Sequence, residues 1–185
     1  MSELTLRVSD LHDAFVAPLV RAQAAVVRSP PSKKPLEIDL RLAPETLARL
    51  YLYSLVDGGS SRPGEFKINV RIPGQGRQTS SFDFSGGRVP LAVGYHQELD
   101  VFVLWDAGLH VRVRPATNLQ VPRTTVLAAA TDGCSECRRK LGKGSVELVL
   151  ACQSWTLRDA LRDRLIRAGD HRFEEGPGLW ELSQG

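Results

Sequence analysis

Methionine, cysteine and aromatic residues are scarce in this chain of 185 residues, which carries one Met, three Cys and 6% aromatics. Three cysteines cannot all pair, and so few do not make a disulfide-stapled secreted scaffold. No apolar run approaches the ~18 residues a membrane span needs. The opening MSELTLRVSD lacks a basic segment followed by an apolar core, so no secretory signal is expected. The chain therefore reads as cytoplasmic, with no membrane partner. Signatures of phosphate and nucleotide chemistry are also missing. The Gly-rich PGQGRQTSSFDFSGG has neither a Lys-Ser/Thr pair nor a helix after it, so it is not a phosphate loop or a dinucleotide fingerprint. No Ser or Cys sits in an elbow motif beside the Asp106 and His110 pair, which argues against a covalent hydrolase.

What remains is an ordinary globular composition, 42% apolar and 24% charged, long enough for one domain with a full core. The net charge of +3 is mild, but its distribution is informative. From Arg62 to Arg88 there are five basic residues (Arg62, Lys67, Arg71, Arg77, Arg88) against two acids (Glu65, Asp83). From Ala107 to Thr125 there are three arginines (Arg112, Arg114, Arg123) and His110, with no acid at all. Acids collect in the terminal helices and the tail. A surface that faces phosphates has this asymmetry.

Periodicity predicts a helix over 9–27, capped by Ser9 or Asp10 and kinked or split by Pro18. A stiff linker, SPPSKKP, follows. Strict alternation predicts strands at 36–42 and 65–72, the second with Phe66, Ile68, Val70 and Ile72 inward and Lys67, Asn69 and Arg71 outward. Apolar runs predict strands at 49–56, 88–95, 100–107, 118–121 and 145–152. A helix is expected over 123–132, ended by Gly133, and a basic turn over 134–144. Ser154 is expected to cap a last helix bearing Leu157, Leu161 and Leu165, before a weakly patterned tail. About seven short strands, mostly joined by hairpins, indicate a mixed antiparallel sheet or a closed barrel.

Two long polar loops, 73–87 and 106–117, stand out on this framework. Asn69, Gln75, Arg77, Gln78 and Asn118 are side chains that read base edges. Arg62, Lys67, Arg112 and Arg114 are types that hold phosphates, and His110 can face one too. Competing motifs are weaker. Asp57, Glu65 and Lys67 have the spacing of a magnesium-dependent nuclease triad, which is the alternative reading. Cys134 and Cys137 form a lone C-x-x-C without a second ligand pair or a redox setting, so no metal and no cofactor are expected.

The stretch RLYLYSLVDGGSSRPGEFKINVRIPGQG, the hairpin into DVFVLWD, then NLQV, a helix and VELVLA resemble the DNA-recognition domains of EcoRII-type and BfiI-type restriction enzymes. The resemblance spans about residues 36–168. It implies the DNA-binding pseudobarrel shared with plant B-three transcription factors: seven strands in an open barrel, mainly β, with flanking helices. It also implies two arms in the major groove. One is the 57–67 turn with Arg62, Lys67 and Asn69, aided by 73–82. The other is 106–118 with His110, Arg112, Arg114 and Asn118. The chain then divides into an N-terminal helical extension and linker (1–35), the pseudobarrel (36–170) and a C-terminal tail (171–185). The function implied is sequence-specific binding of double-stranded DNA in a restriction-modification or defence system. Methylated DNA is a candidate target, with Trp105, Phe82 and Phe84 as candidate walls of a base pocket. Cleavage, if any, would belong to a nuclease or methyltransferase partner.

Overall fold

The computed structural model describes residues 6–60 and 62–174, so the tail from 175 onward lies outside the described residues. The chain runs α1 (Val8–Arg21), β1 (Ala25–Val27), β2 (Leu36–Leu40), β3 (Thr46–Ser54), β4 (Val56–Asp57), β5 (Glu65–Val70), β6 (Val89–His96) and β7 (Val101–Trp105). It continues through β8 (Thr117–Pro122), α2 (Arg123–Asp132), β9 (Cys134–Lys140), β10 (Val146–Gln153) and α3 (Leu157–Glu174). A seven-stranded sheet has the order β1-β2-β3-β6-β7-β10-β9, and a second sheet has the order β4-β5-β8. Every pairing is antiparallel except β3 with β6. The result is a mainly-β open pseudobarrel with flanking helices.

The central strands are apolar on both faces because each face is covered. Leu50 and Leu52 of β3 and Phe102 and Leu104 of β7 pack with Leu11, Phe15 and Leu19 of α1 and with Leu157 and Leu161 of α3. The alternate residues, Tyr51, Tyr53, Val103 and Trp105, meet Phe66, Ile68 and Val70 of β5, Leu119 and Val121 of β8, and Val126 and Ala129 of α2. Each such side chain contributes roughly 1.5–3 kcal/mol by leaving water. Alternation along β5 and β8 thus fixes which side chains face outward.

Five elements differ from the sequence-based expectation. Ten strands form, because short β1 and β4 extend sheet edges and β9 replaces the basic turn expected over 134–144. The polar CSECRRK has little strand propensity, and its conformation is imposed by seven-residue pairing with β10. α1 is neither split at Pro18 nor capped by Ser9 or Asp10: its N-cap is Arg7, with no side-chain cap. Its buried Leu11, Phe15 and Leu19 hold it to the sheet. Ser154 does not cap α3, because its hydroxyl donates to Asp100 Oδ2 at 2.6 Å.

Candidate nucleic-acid interface

The smaller sheet presents its polar face outward. β5 and β8 pair so that Asn69 lies directly opposite Asn118 and Lys67 opposite Gln120. Asn69 and Asn118 are exposed, while Phe66, Ile68, Leu119 and Val121 between them point into the core. β4 pairs only with Phe66 and Lys67, so from Ile68 onward β5 and β8 form a two-stranded ribbon.

Exposed arginines flank this ribbon. At one end Arg71 follows β5, and Arg112 and Arg114 precede β8. The loops 73–87 and 106–117 meet here as one structure. Ser80 and Val113 exchange backbone hydrogen bonds at 2.9 and 2.8 Å. The Gln75 carboxamide accepts from the Ile72 N–H at 3.2 Å and donates to the carbonyls of Gln78 and Val113 at 2.8 and 2.6 Å. Arg77 and Gln78 project from this joined loop into solvent. Arg49 of β3 donates to the Ser85 carbonyl at 2.6 Å, which ties the loop back to the large sheet. At the opposite end of the ribbon, Arg62 sits in the exposed β4–β5 turn, 3.9 Å from Glu65.

A buried charge network anchors the second loop. Glu147 of β10 has no exposure, and its Oε1 accepts from the Asp106 N–H at 3.0 Å and lies 2.8 Å from His110 Nε2. Arg139 of β9 lies 3.5 Å from its other oxygen. Asp106 accepts from the Gly108 N–H at 2.9 Å and from Arg164 of α3 at 3.0 Å. Arg164, almost fully buried, also donates to the Leu148 carbonyl at 2.6 Å. Helix, strand and loop are thereby fixed at one point.

Residues 47–161 match the family model described as methylase-associated X1. The chain belongs to the methylase-associated X1 family. No curated protein and no solved structure matches it. The matched span begins in β3 and ends within α3, so it includes the ribbon, both loops and the Glu147 network apart from Arg164. The family's description links such domains to methylases, which fits a restriction-modification setting.

Within this methylase-associated X1 fold, the residues singled out from sequence separate into two groups. Arg62, Lys67, Asn69, Arg71, Arg77, Gln78, Arg112, Arg114 and Asn118 have outward or exposed positions on the ribbon and its flanking loops. Gln75 and His110 do different work. The Gln75 amide is engaged by three backbone partners, and the His110 ring is held by Glu147, so both help to hold the loop in shape. Loop 73–82 likewise belongs with 106–118, not with the 57–67 turn.

The nuclease alternative is not assembled. Asp57 pairs with Phe66 in the β4–β5 register, so it shares that residue's face while Glu65 and Lys67 take the other. The Gly59 N–H, and then the Arg123 guanidinium, hold the Asp57 carboxyl below the usual carboxylate range. Arg123 bonds Asp57 and lies over the Phe66 ring. Among the described residues no three His, Cys, Asp or Glu side chains are grouped to hold a metal. Cys134 and Cys137, three apart on β9, fall on opposite faces of the strand and cannot act as a pair. Burial pushes the Cys137 thiol up.

Two of the candidate base-pocket aromatics are core residues. Trp105 is buried with its indole N–H on the Gln120 carbonyl, and Phe82 packs edge-on against Tyr51 at 5.0 Å. Phe84 alone of the three is exposed. Gln120 was missed, although NLQV alternates and puts it on the same face as Asn118. Glu147 was also missed, since nothing local distinguishes a buried acid in SVELVLAC from an outward one.

Proposed function

We propose that this chain is a sequence-specific double-stranded DNA-binding domain, serving a restriction-modification or related defence system beside a methyltransferase or nuclease. The observation that carries the reading is the Asn69–Asn118 pair on an exposed ribbon with exposed arginines at both ends. A two-stranded β-ribbon fits the major groove, where base edges are distinguishable. β5 is six residues long, about 20 Å at ~3.3 Å per residue, and the arginines lie beyond its two ends, enough to bracket a groove about 12 Å wide. Arg62, Arg71, Arg77, Arg112 and Arg114 hold phosphates and set the register. Lys67, Asn69, Asn118 and Gln120 meet the base edges. No cofactor is needed for such readout.

The open β arrangement supports the resemblance to EcoRII-type and BfiI-type recognition domains, with one change. The recognition surface is the ribbon between the arms as well as the arms. The pseudobarrel over 36–170 is the binding unit in this reading, with α1 packed against its sheet. Binding is then salt-sensitive, with a log–log slope near −5 for ~6 phosphate contacts.

The test is selection from a random duplex pool by gel shift in EDTA, run with unmodified and methylated pools. A short enriched motif is the expected result. Binding without enrichment at any salt concentration would sink sequence-specific recognition.

A further inference from the structure

We infer that the ribbon reads adenine in its unmodified form, and that N6-methylation of that adenine releases the domain. The inference rests on the DNA-binding reading and names what the same site recognises. In the two adjacent outward pairs of β5 and β8, three of the four side chains are carboxamides: Asn69, Asn118 and Gln120, with Lys67 the fourth. Adenine is the base that presents an N7 acceptor beside an N6–H donor in the major groove, and a carboxamide offers the matching donor and acceptor. Guanine presents two acceptors there and suits Arg or Lys. The composition of the ribbon therefore favours adenine.

The carboxamides are also available. Asn69 and Asn118 are exposed, and among the described residues neither side chain has a hydrogen-bond partner within the protein. Gln75 provides the contrast, with its amide fully engaged by backbone groups. The two asparagines lie where β5 and β8 are two-stranded, the width a major groove admits. Gln120 takes an N–H from Arg139 at 3.3 Å on its oxygen, which orients the carboxamide and directs its N–H groups elsewhere.

Methylation acts on this arrangement directly. One N6 hydrogen of a paired adenine bonds thymine, and the other faces the major groove. N6-methylation of a paired adenine replaces the groove-facing hydrogen. The carboxamide oxygen then loses its donor and meets a methyl group, leaving a desolvated acceptor unpaired. A methyl at C5 of cytosine removes no donor. A domain built this way holds a methylase-linked assembly on sites not yet modified and lets go of the product.

The experiment uses the full chain and the motif enriched from the random pool. Each adenine in the motif is replaced in turn by N6-methyladenine or by 7-deazaadenine, which lacks the N7 acceptor, and each cytosine by 5-methylcytosine. At one or more A·T pairs both adenine analogues weaken binding roughly 5- to 150-fold, the range of a bidentate base contact. Asn69→Ala or Asn118→Ala removes the sensitivity at its own base pair while leaving thermal unfolding unchanged. An enriched motif that tolerates both analogues at every adenine overturns the inference and leaves DNA recognition standing. The absence of any enriched motif overturns both.

Discussion

The ring of His110 lies 2.8 Å from a carboxylate oxygen of Glu147, a residue with no solvent exposure. The same oxygen accepts the backbone N–H of Asp106, which starts the loop that His110 closes. A single buried acid on β10 therefore fixes both sides of the turn that leads into the segment carrying Arg112 and Arg114. Loops that contact a ligand need this kind of support, because an arginine on a mobile loop loses binding energy to ordering.

Glu147→Ala removes the partner of His110, Asp106 and Arg139 at once and leaves Arg139 facing an empty site. Breaking a buried ion pair from one side costs about 3–5 kcal/mol. Urea denaturation is expected to register that loss. Glu147→Gln keeps an acceptor for the Asp106 N–H and is expected to cost less. An alanine variant as stable as the parent would remove Glu147 from its structural role.

Gly94 of β6 sits where the two sheets pack closely together. A Cβ there would lie 2.7 Å from Ile68 Cγ2, 3.1 Å from the Trp105 ring and 3.2 Å from Leu55. Gly94→Ala is expected to destabilise by about 1–3 kcal/mol through overpacking, with a lower melting temperature. Because Ile68 is on β5, the strain reaches the ribbon, and DNA affinity should fall alongside stability. A normal melting temperature would mean that the sheets separate at no cost.

The alternation of EFKINV and NLQV made the inward and outward faces of β5 and β8 legible, and with them Lys67, Asn69 and Asn118. α2 was legible to the residue, since Pro122 precedes it and Gly133 ends it at φ 87°. The pairing of Asn69 with Asn118 was not, because the register between residues 49 positions apart in the chain (118 less 69) is decided by the core and not by either segment. The partners of Gln75 and His110 were hidden for a related reason. Both side chains suit DNA, and only tertiary contacts with Val113 and Glu147 reveal that their polar groups are already engaged. β9 was hidden because its sequence is that of a solvated edge, and β10 supplies the partner.

Arg112 and Arg114 have exposed positions beside the ribbon, and in the proposed complex they meet phosphates. Arg112→Ala and Arg114→Ala should each weaken binding to all duplexes alike and reduce the salt slope by about one. Asn69→Ala should act oppositely, costing about 1–3 kcal/mol at one base pair and leaving the salt slope unchanged. Fluorescence anisotropy over a salt series separates the two behaviours. If the arginine variants kept the parental slope, these loops would not touch phosphate.

Lys34 has a pH signature that reports on the N-terminal segment. Its ammonium donates to the Leu52 carbonyl at 2.7 Å and lies 3.4 Å from the centre of the Tyr53 ring. Burial lowers its pKa from 10.5 to about 8. A lysine with a folded pKa below its unfolded value binds its proton more weakly when folded. Between about pH 8 and 10.5 the unfolded chain therefore holds more protons, and stability rises with pH across that window. Below pH 8 the buried charge carries its full cost; above 10.5 the difference is gone. At 1.36 kcal/mol per unit the effect is at most about 3 kcal/mol, and partial solvent access reduces it. Lys34→Met is expected to flatten this part of the stability–pH curve, and at pH 7 to lose the Leu52 hydrogen bond while also losing the desolvation cost. Urea midpoints measured from pH 7 to 10.5 for both proteins give the comparison. Parallel curves would mean that the Lys34 ammonium remains hydrated, and that the segment joining β1 to β2 stands away from β3.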